Sequence, residues 1–266
     1  MMLRALLLLL FGGLASTLAQ AAIETKTVEY RQGDARLVGY LATPKDAKGP
    51  LPGVLVVHEW KGLDGYAKRR ADQLAELGYV AFAADIYGDG KIAADAKEAG
   101  ALAGLYKKDR ALLRARTAAG LATLKAQPGV VKEKVAAIGY CFGGTAVLEL
   151  ARSGAELAGV VSFHGGLDTP APQDAKNIRA KVLVLHGADD PHVPGEQVAA
   201  FEQEMRTAGV DWQLIAYGNA VHGFTNPAHG NDNSKGAAYN AAADARSWLA
   251  MQQFLDEVVG PVKNAN

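Results

Sequence analysis

The only cysteine among 266 residues, Cys141, stands inside Gly139-Tyr140-Cys141-Phe142-Gly143-Gly144. The apolar run Val135-Ala136-Ala137-Ile138 leads into this segment, and an alanine-rich helical pattern leaves it from Thr145. A strand that turns sharply into a helix through G-x-C-x-G is the setting of a nucleophile elbow, with cysteine in the serine place. A nucleophile in such a turn takes a strained backbone, so its neighbours must be small and its side chain stands clear of the sheet. Gly139 and Gly143 provide the small flanks, and Gly144 lets the following helix pack closely. The competing reading is a buried thiol serving as a small hydrophobe in a glycine-rich turn.

Around that turn the chain alternates between strand and helix patterns. Thr27–Arg31 and Leu37–Ala42 read as an early hairpin, and Val54-Leu55-Val56-Val57 as a buried parallel strand. Tyr66–Leu77 has helical spacing and stops at Gly78, before a strand over Tyr79–Ala84. Ala93–Lys125 reads as helix with a break near Gly104. Strands over Gly159–Phe163, Lys181–His186 and Trp212–Tyr217 follow, with helices over Thr145–Arg152, Glu196–Ala208 and Tyr239–Val258. This order predicts an α/β fold, a mostly parallel sheet covered by helices on both faces. No linker or repeat divides it, so residues 22–266 are expected to form a single domain.

The first 21 residues have a different character. Met1-Met2-Leu3-Arg4 is basic, Ala5 to Phe11 is apolar, and Ala19-Gln20-Ala21 is an A-x-A site. That pattern predicts a secretory signal peptide over residues 1–21 and a periplasmic or secreted product. The apolar stretch is shorter than the roughly 20 residues of a membrane span, so no membrane association is expected after cleavage. Lys+Arg and Asp+Glu both number 28, giving a formal net charge of zero. A neutral chain lacks the electrostatic footprint of a nucleic-acid binder, which leaves a small molecule as the expected partner. A monomer is expected, with a dimer as the other possibility. One cysteine also precludes an internal disulfide and carries a thiol into an oxidising compartment.

A thiol needs a base, and the base needs an orienting acceptor. After Cys141, the segment His186-Gly187-Ala188-Asp189-Asp190-Pro191-His192-Val193-Pro194 follows a predicted strand and offers two carboxylates. Asp190 is favoured by its phase in Gly-x-x-Asp-x-x-Val-Pro, with Asp189 as the fallback and an inert surface turn as the bland alternative. His222 lies in the loop after the last strand, among small residues, and is the candidate base. His58, His164 and His192 compete but lack that order and setting. Upstream, His58-Glu59-Trp60-Lys61-Gly62 follows the central strand, in the loop that supplies an oxyanion-hole N–H in such folds. Glu59 there is either a site carboxylate or an ordinary solvated charge. A metal cluster from His186, Asp189, Asp190 and His192 is disfavoured by strand alternation and the intervening proline. No P-loop or dinucleotide fingerprint is present, so no metal or cofactor is expected.

Four segments together resemble the dienelactone hydrolase family, cysteine members of the α/β-hydrolase superfamily. They are Val57-His58-Glu59-Trp60-Lys61-Gly62, the Cys141 turn, Asp190-Pro191-His192-Val193-Pro194 and His222-Gly223-Phe224. The resemblance implies an α/β-hydrolase fold and a triad of Cys141, His222 and Asp190 acting on an ester or lactone through a thioester. It implies further that Glu59 holds the resting thiol and helps to deprotonate it, and that the backbone N–H groups of Trp60 and Phe142 form the oxyanion hole. The family's namesake binds a substrate carboxylate with two arginines. The matching positions here are Asp89 and Asn226, with Lys61 or Lys91 as replacement cations. The reaction therefore carries over and the substrate does not. Two rival functions remain open at the level of sequence: a non-catalytic exported binding protein on the same scaffold, and a thiol-redox protein that oxidises Cys141.

Overall fold

The computed structural model describes residues 22–262. The expected signal peptide, residues 1–21, lies outside the described residues. The first hairpin is longer than its apolar pattern suggests: β1 (Ile23–Gln32) and β2 (Ala35–Pro44) pair antiparallel along their whole length. Then come β3 (Leu51–Val57), α1 (Gly65–Leu77), β4 (Val80–Ala84), α2 (Ala96–Lys108) and α3 (Arg110–Lys125). The second half runs β5 (Val130–Tyr140), α4 (Phe142–Arg152), β6 (Gly159–Phe163), β7 (Lys181–Gly187), α5 (Gly195–Ala208), β8 (Trp212–Tyr217) and α6 (Ala241–Val259).

The eight strands among the described residues form one sheet in the order β1-β2-β4-β3-β5-β6-β7-β8, parallel from β4 onward. Alternate residues of each strand face opposite sides. Leu55, Val57 and Ala137 join the core under α2 to α5, while Val54, Val56, Ala136 and Ile138 join the core under α1 and α6. Burial on both faces explains why β3 and β7 read as unbroken apolar runs.

The order has one reversal that matters for function. After β3 the chain moves outward to β4, then returns to place β5 on the other side of β3. The carboxyl ends of β3 and β5 therefore lie side by side, with Val57 paired to Gly139. Such a switch point is where open α/β sheets bind ligands. Glu59 and Cys141 leave the sheet there.

One boundary corrects the sequence reading. The helical stretch before β5 breaks at Asp109, not near Gly104, which lies inside α2. Asp109 ends α2 and caps α3, its Oδ1 accepting the Leu112 N–H at 2.9 Å. A side-chain cap supplies a partner for an orphan N–H and fixes a helix start, whereas an interior glycine only costs stability.

Candidate active site

Cys141 is the hinge between β5 and α4. Its backbone sits at φ 53° and ψ −113°, a strained region for any residue with a Cβ. The turn is tight enough to exclude side chains on both flanks. A Cβ on Gly139 would lie 2.0 Å from the Gly143 carbonyl oxygen, and one on Gly143 2.2 Å from that of Val57. The Cys141 N–H is held from two sides, by the Phe163 carbonyl at 3.0 Å and by His164 Nδ1 at 3.2 Å. The half-buried thiol projects from this turn.

The loops after β7 and β8 bring a carboxylate and an imidazole to it. His222 Nε2 lies 3.0 Å from Cys141 Sγ, and His222 Nδ1 lies 2.8 Å from Asp190 Oδ2. Asp190 is buried and its other oxygen accepts the His192 N–H at 2.8 Å. Asp189 is exposed. Burial by itself would favour neutral His222. The Cys141 sulfur and the Asp190 carboxylate outweigh that effect and push its pKa up to about 10. Burial likewise raises the Asp190 pKa, but the bond to His222 and the His192 N–H bring it below the ordinary value.

The oxyanion side is built from peptide orientation. The Glu59 carbonyl is tied back by His58 Nδ1 at 2.6 Å and by the Gly62 N–H at 3.3 Å. A trans peptide directs the Trp60 N–H the opposite way. The Cys141 carbonyl accepts from Gly144 and Thr145 inside the first turn of α4, so the Phe142 N–H points out of that helix start. His58 itself is fully buried and accepts the Ile86 N–H on Nε2, which fixes the tautomer that donates to Glu59. Its ring stacks on Phe142 at 5.8 Å, linking the two N–H donors.

Glu59 is buried in the same cavity as Cys141, but its Oε2 accepts from Asn226 Nδ2 at 2.6 Å, and the thiol is bonded to His222. His229 Nε2 lies 3.9 Å from the same oxygen. Burial raises the Glu59 pKa despite these two neighbours. The cavity has a volume of about 580 Å³, and Glu59, Trp60, Phe142 and His222 line it. Gly100, Ala103, Gly104 and Lys107 of α2 contribute to the same lining. Lys61 also lines it, whereas Lys91 pairs with Glu98 at 2.6 Å on the surface. Asp89 lies outside the cavity, on the Arg36 guanidinium at 3.4 Å.

Several members of this arrangement escaped the sequence reading. Lys107 sits in a helix with no motif to mark it. His229 and the Asn226 bond to Glu59 depend on how residues 223–230 fold back. His164 competes for the base role in the sequence, but its Nδ1 accepts the backbone N–H of Cys141 in the structure. Its nearness to the strained turn was visible only in its position after a strand.

Comparison with known proteins agrees with this geometry. The chain matches the dienelactone hydrolase family over residues 37–259. A structure described as a dienelactone hydrolase-like promiscuous phosphotriesterase from metagenomic libraries is 46% identical, with a TM-score of 0.85, covering 89% of this chain and 99% of that one. The protein usf of Aquifex pyrophilus is 30% identical, covering 75% of this chain and 86% of its own length. A dienelactone hydrolase structure from Anabaena variabilis, 22% identical with a TM-score of 0.64 over 88% of this chain and 97% of that one, shares the fold. The chain belongs to the dienelactone hydrolase family, lactone and ester hydrolases of the α/β-hydrolase fold.

Proposed function

We propose that this chain is an exported hydrolase of esters or lactones that works through a thioester on Cys141, with His222 as acid and base and Asp190 as its orienting carboxylate. The observation that carries the reading is the continuous line from Asp190 through His222 to Cys141, with contacts of 2.8 and 3.0 Å. An imidazole held between carboxylate and sulfur keeps its proton, and the proton it holds is the one the thiol gives up. The sulfur then attacks the carbonyl carbon, and its lone pair forms the C–S bond as the C=O electrons move to oxygen. The oxyanion forms against the Trp60 and Phe142 N–H groups, each worth roughly 3–4 kcal/mol in the transition state. Collapse breaks the C–O bond, and His222 Nε2 protonates the leaving alkoxide or enolate. Water then gives its proton to His222 and attacks the thioester carbonyl, and the C–S bond breaks to return the sulfur. Asp190 holds the imidazole in the tautomer these transfers need.

Lys61 and Lys107 line the cavity and no arginine does, so a substrate with an anionic end would meet a lysine ammonium there and not a bidentate guanidinium. A second reading rests on the 46% identical phosphotriesterase. A neutral phosphotriester needs no cationic anchor, and the same sulfur attacks phosphorus while His222 protonates the departing aryl oxide.

The test is a panel of p-nitrophenyl esters, aryl lactones and a p-nitrophenyl dialkyl phosphate. Cys141→Ala and His222→Ala are each expected to lower kcat by at least about 10³-fold with the fold retained. Asp190→Asn costs less than either, and Asp189→Asn is close to silent. Turnover that survives Cys141→Ala removes the thioester reading, and a wild-type protein inert across the panel favours a binding scaffold instead.

A further inference from the structure

Directly behind the Cys141–His222 pair lies a chain of buried polar groups that the reaction itself does not use. His164 Nδ1 accepts the Cys141 N–H at 3.2 Å, so the ring proton sits on Nε2, which donates to Thr225 Oγ1 at 2.7 Å. Thr225 is three residues beyond His222 in the same loop. Its hydroxyl meets the Tyr66 hydroxyl at 2.6 Å, and its carbonyl accepts from Arg70 Nη2 at 3.0 Å. Arg70 is anchored in turn by Asp244 at 2.5 Å. His164, Thr225, Tyr66 and Arg70 are all buried.

Two further observations separate this arrangement from ordinary core satisfaction. His164 holds a positive φ of 40°, a conformation that costs energy in a non-glycine residue and persists only where the surroundings impose it. The His164 ring also packs edge-on against His222, with centroids 5.4 Å apart, and against Phe224 at 5.1 Å. One side chain thus touches the nucleophile's backbone, the ring of the base and the loop that carries the base.

We propose that His164 and Thr225 form a strut that sets the position of the nucleophile turn relative to the His222 loop, making both of them positioning residues for hydrolysis. The proposal rests on the reading of Cys141 and His222 as nucleophile and base. Thr225 acts through the tautomer. With its hydroxyl present, the His164 proton stays on Nε2 and Nδ1 remains free to accept from Cys141. Without it, Nε2–H is buried and unpaired, a cost large enough to drive the ring to turn or to move its proton. A proton on Nδ1 would face the Cys141 N–H, donor against donor, and the turn would shift. Misplacement of reacting groups by about 1 Å costs up to about 10²-fold in rate.

The experiment compares Thr225→Val, which keeps the shape and deletes the hydroxyl, with Thr225→Ser, which restores it. Steady-state kinetics on a p-nitrophenyl ester, iodoacetamide alkylation of Cys141 and Tm are measured on each. Thr225→Val is expected to lower kcat by about 10-fold or more with KM within about twofold, and to slow alkylation, as expected of misaligned reacting groups. Thr225→Ser is expected to restore both. If Thr225→Val lowers Tm while kcat and alkylation stay at wild-type values, the residue is structural only and the proposal fails. Should Thr225→Val not fold, Thr225→Ala and His164→Asn carry the same readouts, and wild-type kcat in both overturns the strut. Failure of the underlying triad reading shows separately, as turnover that survives Cys141→Ala.

Discussion

Glu59 is the residue whose surroundings oppose its own charge. It is 4% exposed, one of its oxygens is buried without a partner, and burial pushes its pKa above the ordinary value of 4.5. The sign of the resulting linkage follows directly. Between the unfolded and folded pKa values the native state holds more protons than the unfolded one, so stability falls as pH rises through that window. Above it, the cost of a buried carboxylate is present in full. Glu59→Gln cannot ionise and keeps an amide oxygen for the Asn226 Nδ2 donor. Its Tm is expected to exceed that of wild type at pH 7, with the gain shrinking as pH falls toward 4.5 and absent below it. Thermal melts across that range check this, and a variant less stable than wild type at pH 7 would show that the charge is better compensated than its burial implies. The position of Glu59 after an apolar strand was legible in the sequence. Its partner was not, because the Asn226 bond spans 167 residues and depends on how the chain after His222 returns to the cavity.

At the scale of elements, α2 carries an apparent contradiction. It is a helix with glycine at 100 and 104, and each interior glycine costs about 1 kcal/mol against alanine. Those glycines mark no helix end. The chain turns instead at Asp109, where a side-chain oxygen caps α3. Periodicity and composition identify a helical region, but a break is decided by which residue can satisfy orphan backbone groups, and glycine has no side chain to do so. Gly100 and Gly104 both line the cavity, and a Cβ at either would meet nothing within 4 Å. The missing methyl groups therefore add room to the cavity. Gly104→Ala is expected to raise stability by about 1 kcal/mol, which for a chain of this size moves Tm by about 2–4 °C. It is also expected to lower kcat/KM for bulky acyl or aryl esters more than for acetate esters. Differential scanning calorimetry and an ester size series separate the two effects, and an unchanged size preference would leave Gly104 without a role in the cavity wall.

At the scale of the whole molecule, the parallel sheet was legible because burial on both faces writes continuous apolar runs into β3, β6 and β7. The strand order was less so. Which neighbour β5 takes is set by packing across the sheet, and the juxtaposition of Glu59 with Cys141 follows from that choice and from no local pattern. The proposed export is the remaining question at this scale. Pairing of β1 with β2 runs from Ile23 opposite Pro44 to Gln32 opposite Ala35, and the Ala22 carbonyl accepts the Lys45 N–H at 2.9 Å. Cleavage after Ala21 would therefore leave this edge of the sheet whole, whereas cleavage a few residues later would remove strand residues. Protein recovered from the periplasm or the medium is expected to begin at Ala22 or within a residue or two of it, as the A-x-A site predicts. A chain begun at Ala22 and made without the leader should match it in Tm and in turnover. An intact Met1 on membrane-bound protein would establish an anchor instead.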